Sequence, residues 1–181
     1  MHKCPQTKNQ STLEHGFSVK NYLFDLINHL ENGSKLKYDW SLPDWVYENK
    51  NLIISSLPSK KTLKLYTIFH DCGKWKCLKL DDDGKSHFPN HAEESYKVFS
   101  ELFSDEVAAN LIRKDMDIHL LKSDKTEEFS KDPLAITLLL TGLSEIHSNS
   151  SLFGGKDSTS FKIKFKSITQ RGKQIFKLLS T

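Results

Sequence analysis

The chain has 181 residues, a length that fits one domain over 1–181 and excludes a long multidomain protein. Hydrophobic residues make up 37% and charged residues 27% of the chain, so we expect a packed core and exclude pervasive disorder. The net charge of +3 is uneven, because the segment 151–181 holds seven basic residues and one acidic residue. No apolar run approaches the ~18 residues that span a bilayer, and no apolar signal core follows Met1, which predicts a cytoplasmic protein with no membrane segment.

The first helix is predicted to begin after Ser11, which forms the Ser-x-x-Glu spacing of a capping box with Glu14. Apolar residues then recur at helical spacing as far as Leu30. The next segment, at about 33–58, has no firm period in its first part. It is predicted to be an insertion or ordered loop with a short helix after Pro43.

A second long helix is predicted from a cap at Ser59 to His70, ending at Gly73. The segment 76–88 follows, with an Asp-Gly pair between two short runs that can form strands. This pattern predicts a small β-hairpin. The aspartates beside the turn lack the ligand spacing and the closing Glu of a calcium loop, so they are interpreted as a solvated turn.

Three further helices are predicted in the second half of the chain. Asn90 is expected to cap one, and Ser104 to open another that reaches Leu121. Pro133 is well placed at the start of the most apolar helix, which runs to about Ser148. Together these patterns predict an all-α fold with at most one β-hairpin.

The basic segment 151–181 is ambiguous in structure. Phe161, Ile163 and Phe165 alternate with lysines as in a strand, although the apolar spacing also fits a helix. We predict an extended start and a helix from about Ile168. The positive charge favours contact with an anion or a nucleic acid, and a solvated lysine face is the alternative.

Histidines and carboxylates form the pattern with chemical meaning. The run His70-Asp71-Cys72-Gly73-Lys74 places two metal ligands at a helix end, before a glycine that turns the backbone and a lysine that can meet a phosphate. His15, His91 and His119 lie on other predicted helices, and imidazoles from several helices can assemble a metal centre in a bundle core. For His15 or His119 alone, the alternative is a hydrogen-bonded core histidine.

A structural zinc site is a further alternative. Cys72 and Cys77 could bind zinc together with His70, but the sequence has no fourth ligand at zinc-finger spacing. Trp75, beside Lys74, is the best candidate for stacking a base, with packing as the alternative.

These residues resemble the HD-domain metal-dependent phosphohydrolases. Residues 12–19 are similar to the first-histidine helix of that family, 69–74 to its His-Asp-x-Gly-Lys signature and 117–121 to its later histidine motif. Residues 82–95 are similar to the hairpin and histidine in HD domains of tRNA nucleotidyltransferases and other RNA-end-processing enzymes. The resemblance covers about residues 11–148 and leaves the basic segment unexplained.

The resemblance implies an HD-domain helical bundle that holds one or two divalent ions, from among Mn, Fe, Co, Ni, Zn and Mg. The expected metal ligands are His15, His70, Asp71, His91 and His119. Asp71 and Lys74 are the expected catalytic residues. Contacts to the substrate phosphate are expected from Lys74, Ser158, Ser160, Lys162 and Arg171.

One departure from the family pattern concerns the last metal ligand. The family usually closes its site with an Asp on a late helix, but no Asp occurs between Pro133 and Phe153. Either Glu145 or His147 substitutes for it, or the metal site is incomplete.

The implied activity is hydrolysis of a phosphate monoester or diester. The expected substrate is a nucleotide or an RNA or DNA end, and a 2′,3′-cyclic phosphate is one candidate. Two alternatives stay open at this point. One is an HD-type nuclease that cuts within a single strand, and the other is a noncatalytic HD-like module that binds a metal or a nucleotide.

Overall fold

A computed structural model describes residues 1, 4–7, 10–84 and 86–180. Its elements confirm the all-α prediction. The helices are α1 Thr12–Asn32, α2 Asp44–Glu48, α3 Lys50–Ser56, α4 Lys60–Phe69, α5 His91–Leu102, α6 Glu106–Arg113, α7 Asp117–Leu120, α8 Thr126–Ser130, α9 Ala135–Ser148 and α10 Thr159–Leu179. The strands are β1 Pro5–Thr7, β2 Gln10–Ser11, β3 Lys79–Leu80 and β4 Ser86–His87.

The strands form two short antiparallel pairs. β3 pairs with β4, with Lys79 opposite His87, which confirms the small hairpin predicted within 76–88. β1 pairs with β2 directly before α1, and the sequence did not predict this second pair. Within the described ranges, no helix has the length and apolar character needed to cross a membrane.

The chain divides into two compact units. The first contains Met1–Lys20 and Pro58–Met116, and the second contains Asn21–Leu57 and Asp117–Thr181. Helix α1 contributes its first part to the first unit and the remainder to the second. The organisation as one domain with an insertion at about 33–58 stays a prediction.

The first unit has its core among α4, α5 and α6. Leu63, Leu111 and Ile112 are fully buried, as is Phe99. The ring of Phe99 lies 4.8 Å from that of Phe103 in a stacked arrangement. The ring of Phe69, the last residue of α4, lies 6.2 Å from that of Phe99 and 5.0 Å from that of Phe103, which fixes the end of α4 against α5.

The second unit is built on α9, which is buried along most of its length. Helix α10 buries one side of its surface through Phe161, Ile168, Ile175 and Phe176. Its Gly172 lies so close to the ring of Trp45 that a Cβ atom there would overlap the indole. The predicted insertion is ordered in this unit, where α2 begins directly after Pro43 as expected.

Several helix starts follow the predicted caps. Ser11 donates its backbone N–H to Glu14 Oε2 at 2.8 Å, and Glu14 N–H donates to Ser11 Oγ at 3.2 Å, which confirms the capping box. Ser59 Oγ accepts from the backbone N–H of Thr62 at 3.1 Å and so caps α4 as predicted.

Three predictions about helix ends are wrong. Asn90 directly precedes α5, as predicted, but it has a left-handed conformation with φ 56° and its side chain does not cap the helix. Asp105, not Ser104, caps α6, because its carboxylate accepts from the N–H of Ala108. The helix then ends at Arg113 instead of continuing to Leu121.

The predicted extended start of the basic segment is also wrong. Helix α10 begins at Thr159, and Ser158 caps it by accepting from the N–H of Phe161 at 3.1 Å. Phe161 is buried, while Ile163 is 63% exposed. The apparent alternation therefore does not correspond to a buried and an exposed face, and the helical spacing decides the structure.

Candidate metal centre

Two histidines approach each other where α1 runs past α4. Gly16 allows this approach, because a Cβ atom at that position would overlap the backbone carbonyl of Ile68. The neighbouring His15 is fully buried, and its ring centroid lies 5.1 Å from that of His70. Their nearest ligand nitrogens lie within 4.8 Å of each other. His15 and His70 are 55 positions apart in the sequence, and the close contact of Gly16 with Ile68 brings them together.

The carboxylate of Asp71 lies at the centre of the cluster. It is buried in the turn after α4, with Oδ2 at 3.3 Å from His70 Nε2 and 3.8 Å from His15 Nε2. Its other oxygen, Oδ1, is 3.7 Å from His91 Nε2. The structure therefore brings together four of the five predicted metal ligands in the first unit.

Backbone carbonyls set the orientation of two of these imidazoles. The Nδ1–H of His70 donates to the carbonyl oxygen of Thr67 at 2.9 Å, and the Nδ1–H of His91 donates to that of Phe88 at 2.9 Å. A carbonyl can only accept, so in the neutral ring Nε2 carries the lone pair and faces Asp71. This is the arrangement in which metal-binding histidines are usually held.

Lys74 completes the cluster from the same turn. Its Nζ donates to Asp71 Oδ2 at 2.6 Å and lies 5.4 Å from the centroid of the Phe88 ring. Gly73 makes this turn possible, because a Cβ atom there would overlap the backbone at Glu94. The lysine is buried, so its charge acts in a poorly solvated environment.

The surroundings of Asp71 favour its ionised form. Burial alone would raise the pKa of the carboxyl, but this effect is outweighed by the charge that His70 carries when protonated and by the ammonium of Lys74. The pKa of Asp71 is consequently held well below its usual range. The cluster therefore presents a carboxylate at neutral pH.

The residues fit a divalent ion in two respects. Two donors that each lie about 2.1 Å from one ion stand roughly 3.0 to 3.8 Å apart at angles of about 90 to 130°. The separations of 3.3, 3.7 and 3.8 Å around Asp71 fall in that interval. Among the described residues, the buried Oδ1 of Asp71 accepts no hydrogen bond, which is an unusual cost unless a cation is bound there.

The cysteines have other partners. Cys72 Sγ donates to the carbonyl of Ser95 at 3.2 Å, and burial raises the pKa of this thiol to about 11. Cys77 Sγ donates to the carbonyl of Lys74 at 3.5 Å. Because zinc binds thiolates, these protonated thiols do not favour the structural zinc alternative.

The fifth predicted ligand, His119, lies in the second unit. Its Nε2 pairs there with Glu145 Oε2 at 2.9 Å. His147 accepts the backbone N–H of Ser41 at 3.0 Å through Nε2 and donates to the carbonyl of Leu143 at 2.9 Å through Nδ1. Both nitrogens of His147 are thus used in hydrogen bonds, which argues against it as the late ligand. The roles of His119 and Glu145 stay predictions.

The predicted phosphate contacts outside the cluster are also in the second unit. Ser158 caps α10, Ser160 is exposed in its first turn, and Lys162 is exposed with Asp157 at 4.0 Å. Arg171 donates through Nε and Nη2 to one carbonyl, that of Leu121, at 3.2 and 3.0 Å. This guanidinium fixes the fold of its own unit, and its predicted contact with phosphate stays untested.

Sequence reasoning missed the groups that orient the cluster. Thr67 and Phe88 act through backbone carbonyls, so their side chains give no signal in the sequence. Ser95 accepts the N–H of Gly73 through Oγ at 2.9 Å and thereby holds the turn that carries Asp71 and Lys74. Its position on the face of α5 that carries the buried Ala92 and Phe99 was the available signal.

Comparisons with family models, with curated proteins and with solved structures find no match to this chain. The similarity to HD domains therefore rests on the residues and their spacing.

Proposed function

We propose that the chain is a metal-dependent phosphohydrolase whose centre is the cluster of His15, His70, Asp71 and His91. The observation that carries the proposal is the convergence of three imidazole Nε2 atoms on one buried carboxylate, at 3.3 to 3.8 Å. A divalent cation among these groups would be held by the carboxylate and by imidazole nitrogens that carry a lone pair. Nitrogen and oxygen donors together suit Mn, Fe, Co, Ni, Zn or Mg.

Each residue has a distinct role in this proposal. A bound divalent ion would supply a water of lowered pKa and polarise a phosphoryl oxygen. Asp71 would hold the ion through its buried carboxylate, whose negative charge would offset the charge of the ion. Lys74 lies next to it and can turn its ammonium group toward a substrate phosphate, which it would neutralise without a bidentate contact.

The proposed substrate is a nucleotide or a nucleic-acid end, including a 2′,3′-cyclic phosphate. Two features support this choice. One is the resemblance of residues 82–95 to HD domains of RNA-end-processing enzymes, and the other is the basic segment 151–181. Trp75 is 55% exposed directly after Lys74, which supports its candidacy for stacking a base.

A noncatalytic role is the second candidate, and one contact favours it. The ammonium of Lys74 already lies 2.6 Å from Asp71 Oδ2, so the cluster contains a cation of its own. In that case Lys74 and Asp71 form a buried ion pair that stabilises the turn, and the histidines complete its surroundings.

Metal analysis combined with a phosphatase screen tests the proposal. We expect the purified protein, after reconstitution with each divalent ion, to retain metal and to hydrolyse bis(p-nitrophenyl) phosphate or a 2′,3′-cyclic nucleotide. Asp71→Asn should lower metal affinity and turnover by about 100-fold or more, because a ligand matters at least as much as the groups that support ligands.

The matched control is Asp115→Asn in the same unit. Asp115 is buried and accepts from the hydroxyl of Tyr66 at 2.6 Å, so this variant loses a similar buried carboxylate away from the cluster. It should lose stability and keep metal. Wild-type protein that retains no metal contradicts the proposal, and metal retention without hydrolysis of any ester supports the noncatalytic candidate.

A further inference from the structure

Helix α10 carries a straight row of lysines. The helix contains six basic residues and no acidic residue over Thr159–Leu179. Lys162, Lys166, Lys173 and Lys177 are separated by 4, 7 and 4 positions, which places them within about 60° of one another around the helix. All four are exposed. They form what we name the lysine row, about 22 Å long at 1.5 Å per residue.

The rotation of α10 about its axis is fixed by its own unit. Phe161, Ile168 and Ile175 are buried on the side away from the lysine row, and Gly172 lies against the indole of Trp45. Arg171, also away from the row, is held by the carbonyl of Leu121. The lysine row therefore cannot turn inward without breaking the core of the second unit.

The arrangement of charges does not stabilise the helix. Lysines four positions apart repel each other, as in the pairs Lys162 with Lys166 and Lys173 with Lys177. Only Lys177 lies in the last turn, where the helix dipole favours a cation, and the other three lysines gain nothing from the dipole. Although Asp157 lies 4.0 Å from Lys162, the repulsion within the two pairs favours an anionic partner outside the chain.

The apolar side of α10 is buried and is therefore not available for insertion into a membrane. A basic amphipathic helix binds a membrane by inserting its apolar face among the lipids. Here that face is occupied by the core of the second unit, with Phe161, Ile168, Ile175 and Phe176 buried. A row of exposed cations beside a buried apolar side matches the phosphate backbone of a polynucleotide better than a lipid surface.

We infer that the lysine row binds the backbone of a single-stranded RNA or DNA. A flexible strand can lie along a straight row of charges and place several successive phosphates opposite it. The inference deepens the proposed function by naming a polynucleotide as the substrate class. Hydrolysis of that strand rests on the proposed function, whereas binding of the strand by the lysine row does not. Lys164 lies on the opposite side of the helix, with Nζ 5.1 Å from the Phe153 ring centroid, and is outside the row.

Fluorescence anisotropy with labelled dodecamers of uridylate and thymidylate tests the inference on the full chain. Four phosphate contacts on a single strand predict a slope of log affinity against log salt of about −2.8, at −0.7 for each contact. The double variant Lys166→Gln/Lys173→Gln should reduce the slope to about −1.4. At 0.1 M salt it should weaken binding roughly 25-fold, because each contact is worth about fivefold there.

The control double variant is Lys164→Gln/Lys50→Gln, which removes the same charge from exposed sites of the same unit outside the row. It should shift the slope by less than about 0.3 if the row is the contact surface. Equal losses in the two double variants would overturn the inference, as would wild-type protein that binds neither oligonucleotide. Stronger binding to vesicles of phosphatidylcholine and phosphatidylserine than to the dodecamers would also overturn it.

Measurements in the Asp71→Asn background separate the two proposals. We expect this variant to bind the dodecamers with wild-type affinity and slope, since the lysine row is intact. Oligonucleotide binding without phosphohydrolase activity in the wild type would leave the lysine row established and refute the proposed reaction. Hydrolysis of nucleotides with no binding of dodecamers would support the proposed reaction and refute the role of the lysine row.

Discussion

His70 and His147 are both buried, one in each unit, and their surroundings give them opposite roles. His70 donates through Nδ1 to a backbone carbonyl and points Nε2 at the carboxylate of Asp71. His147 also donates through Nδ1 to a carbonyl, but its Nε2 accepts a backbone N–H from Ser41. His70 is thus oriented toward a charged group, whereas both ring nitrogens of His147 are hydrogen-bonded to the main chain. Burial alone therefore does not mark a site histidine, whereas the partner of its second nitrogen does.

Exchanging each histidine for glutamine should separate the two roles most strongly. His70→Gln is expected to lower metal affinity and ester hydrolysis by about 100-fold or more, with little loss of fold. His147→Gln is expected to keep metal and turnover and to lose stability, because a buried N–H and a buried carbonyl lose their partner. Metal titration and urea unfolding of both variants measure this. If His147→Gln folds but loses metal, His147 is a ligand and the two histidines do not have opposite roles.

The titration of His147 should give the next largest effect. Burial lowers the pKa of His147 from 6.5 to about 4, so between those values the unfolded chain binds a proton that the folded chain does not. The free energy of unfolding should therefore rise with pH across this window, and the contribution is lost as the pH falls toward 4. The full effect is about 3 kcal/mol, from ~1.4 kcal/mol per unit of pKa.

Urea unfolding of the wild type and of His147→Gln at pH values from 4 to 7.5 isolates that contribution, since the other groups titrate in both proteins. The difference in unfolding free energy between them should shrink toward acid pH. Ser144→Ala, which removes a buried hydroxyl that donates to the carbonyl of Leu140 on the same helix, is the control; no titratable group is lost, so its difference should be flat with pH. A flat difference for His147→Gln as well would show that His147 is not held neutral by burial.

One glycine in each unit allows a close contact, and replacing it should have a smaller effect than replacing the histidines. A Cβ atom at Gly16 would overlap the carbonyl of Ile68, and one at Gly172 would overlap the indole of Trp45. Each change to alanine should cost about 1 to 3 kcal/mol of unfolding free energy. Only Gly16→Ala should also weaken metal binding, because it moves the helix that carries His15.

Gly142→Ala on α9 is the matched control for stability. The nearest atoms to a Cβ atom at this position belong to side chains, and the closest is Ile118 Cγ2 at 3.1 Å. The gain in helix propensity should offset this contact, leaving stability almost unchanged. Thermal unfolding and metal titration of the three variants measure these effects. Equal metal affinity in Gly16→Ala and Gly172→Ala would remove the special position of the first glycine.

The smallest expected effect is at the start of α10. Ser158 Oγ accepts the N–H of Phe161, and Ser158→Ala should lower the unfolding free energy by about 1 kcal/mol. Ser160→Ala, two positions on and exposed, is the control with an expected change near zero. If Ser158→Ala instead weakens phosphate binding without loss of stability, its hydroxyl is a ligand in addition to a cap.

Sequence patterns predicted those parts of the fold in which local chemistry determines the structure. The capping box at Ser11 and the cap at Ser59 are local hydrogen bonds between residues three positions apart, and both are confirmed. The start of α10 was predicted wrongly, because three alternating apolar residues also satisfy a strand. The buried side of α10 was set instead by packing against Trp45, which lies far away in the sequence.

For the candidate site, the sequence indicated which side chains take part but not what orients them. The motif indicated His15, His70, Asp71 and His91, and the structure places the three imidazoles around the carboxylate of Asp71. The carbonyls that orient the imidazoles belong to the backbone and have no residue signature. The use of both nitrogens of His147 was equally invisible, since one partner is the backbone of Ser41.

The order in which the chain is synthesised acts differently on the two units. The first unit contains no residue beyond Met116, whereas the second needs α10 to cover Trp45, which leaves the ribosome more than a hundred residues earlier. At roughly 5 to 20 residues per second, the apolar residues of α2 and α3 wait for several seconds before α10 is made. The unit with the histidine cluster can therefore fold first on the ribosome. The segment Asn21–Leu57 is the part of the nascent chain that we expect a chaperone to bind.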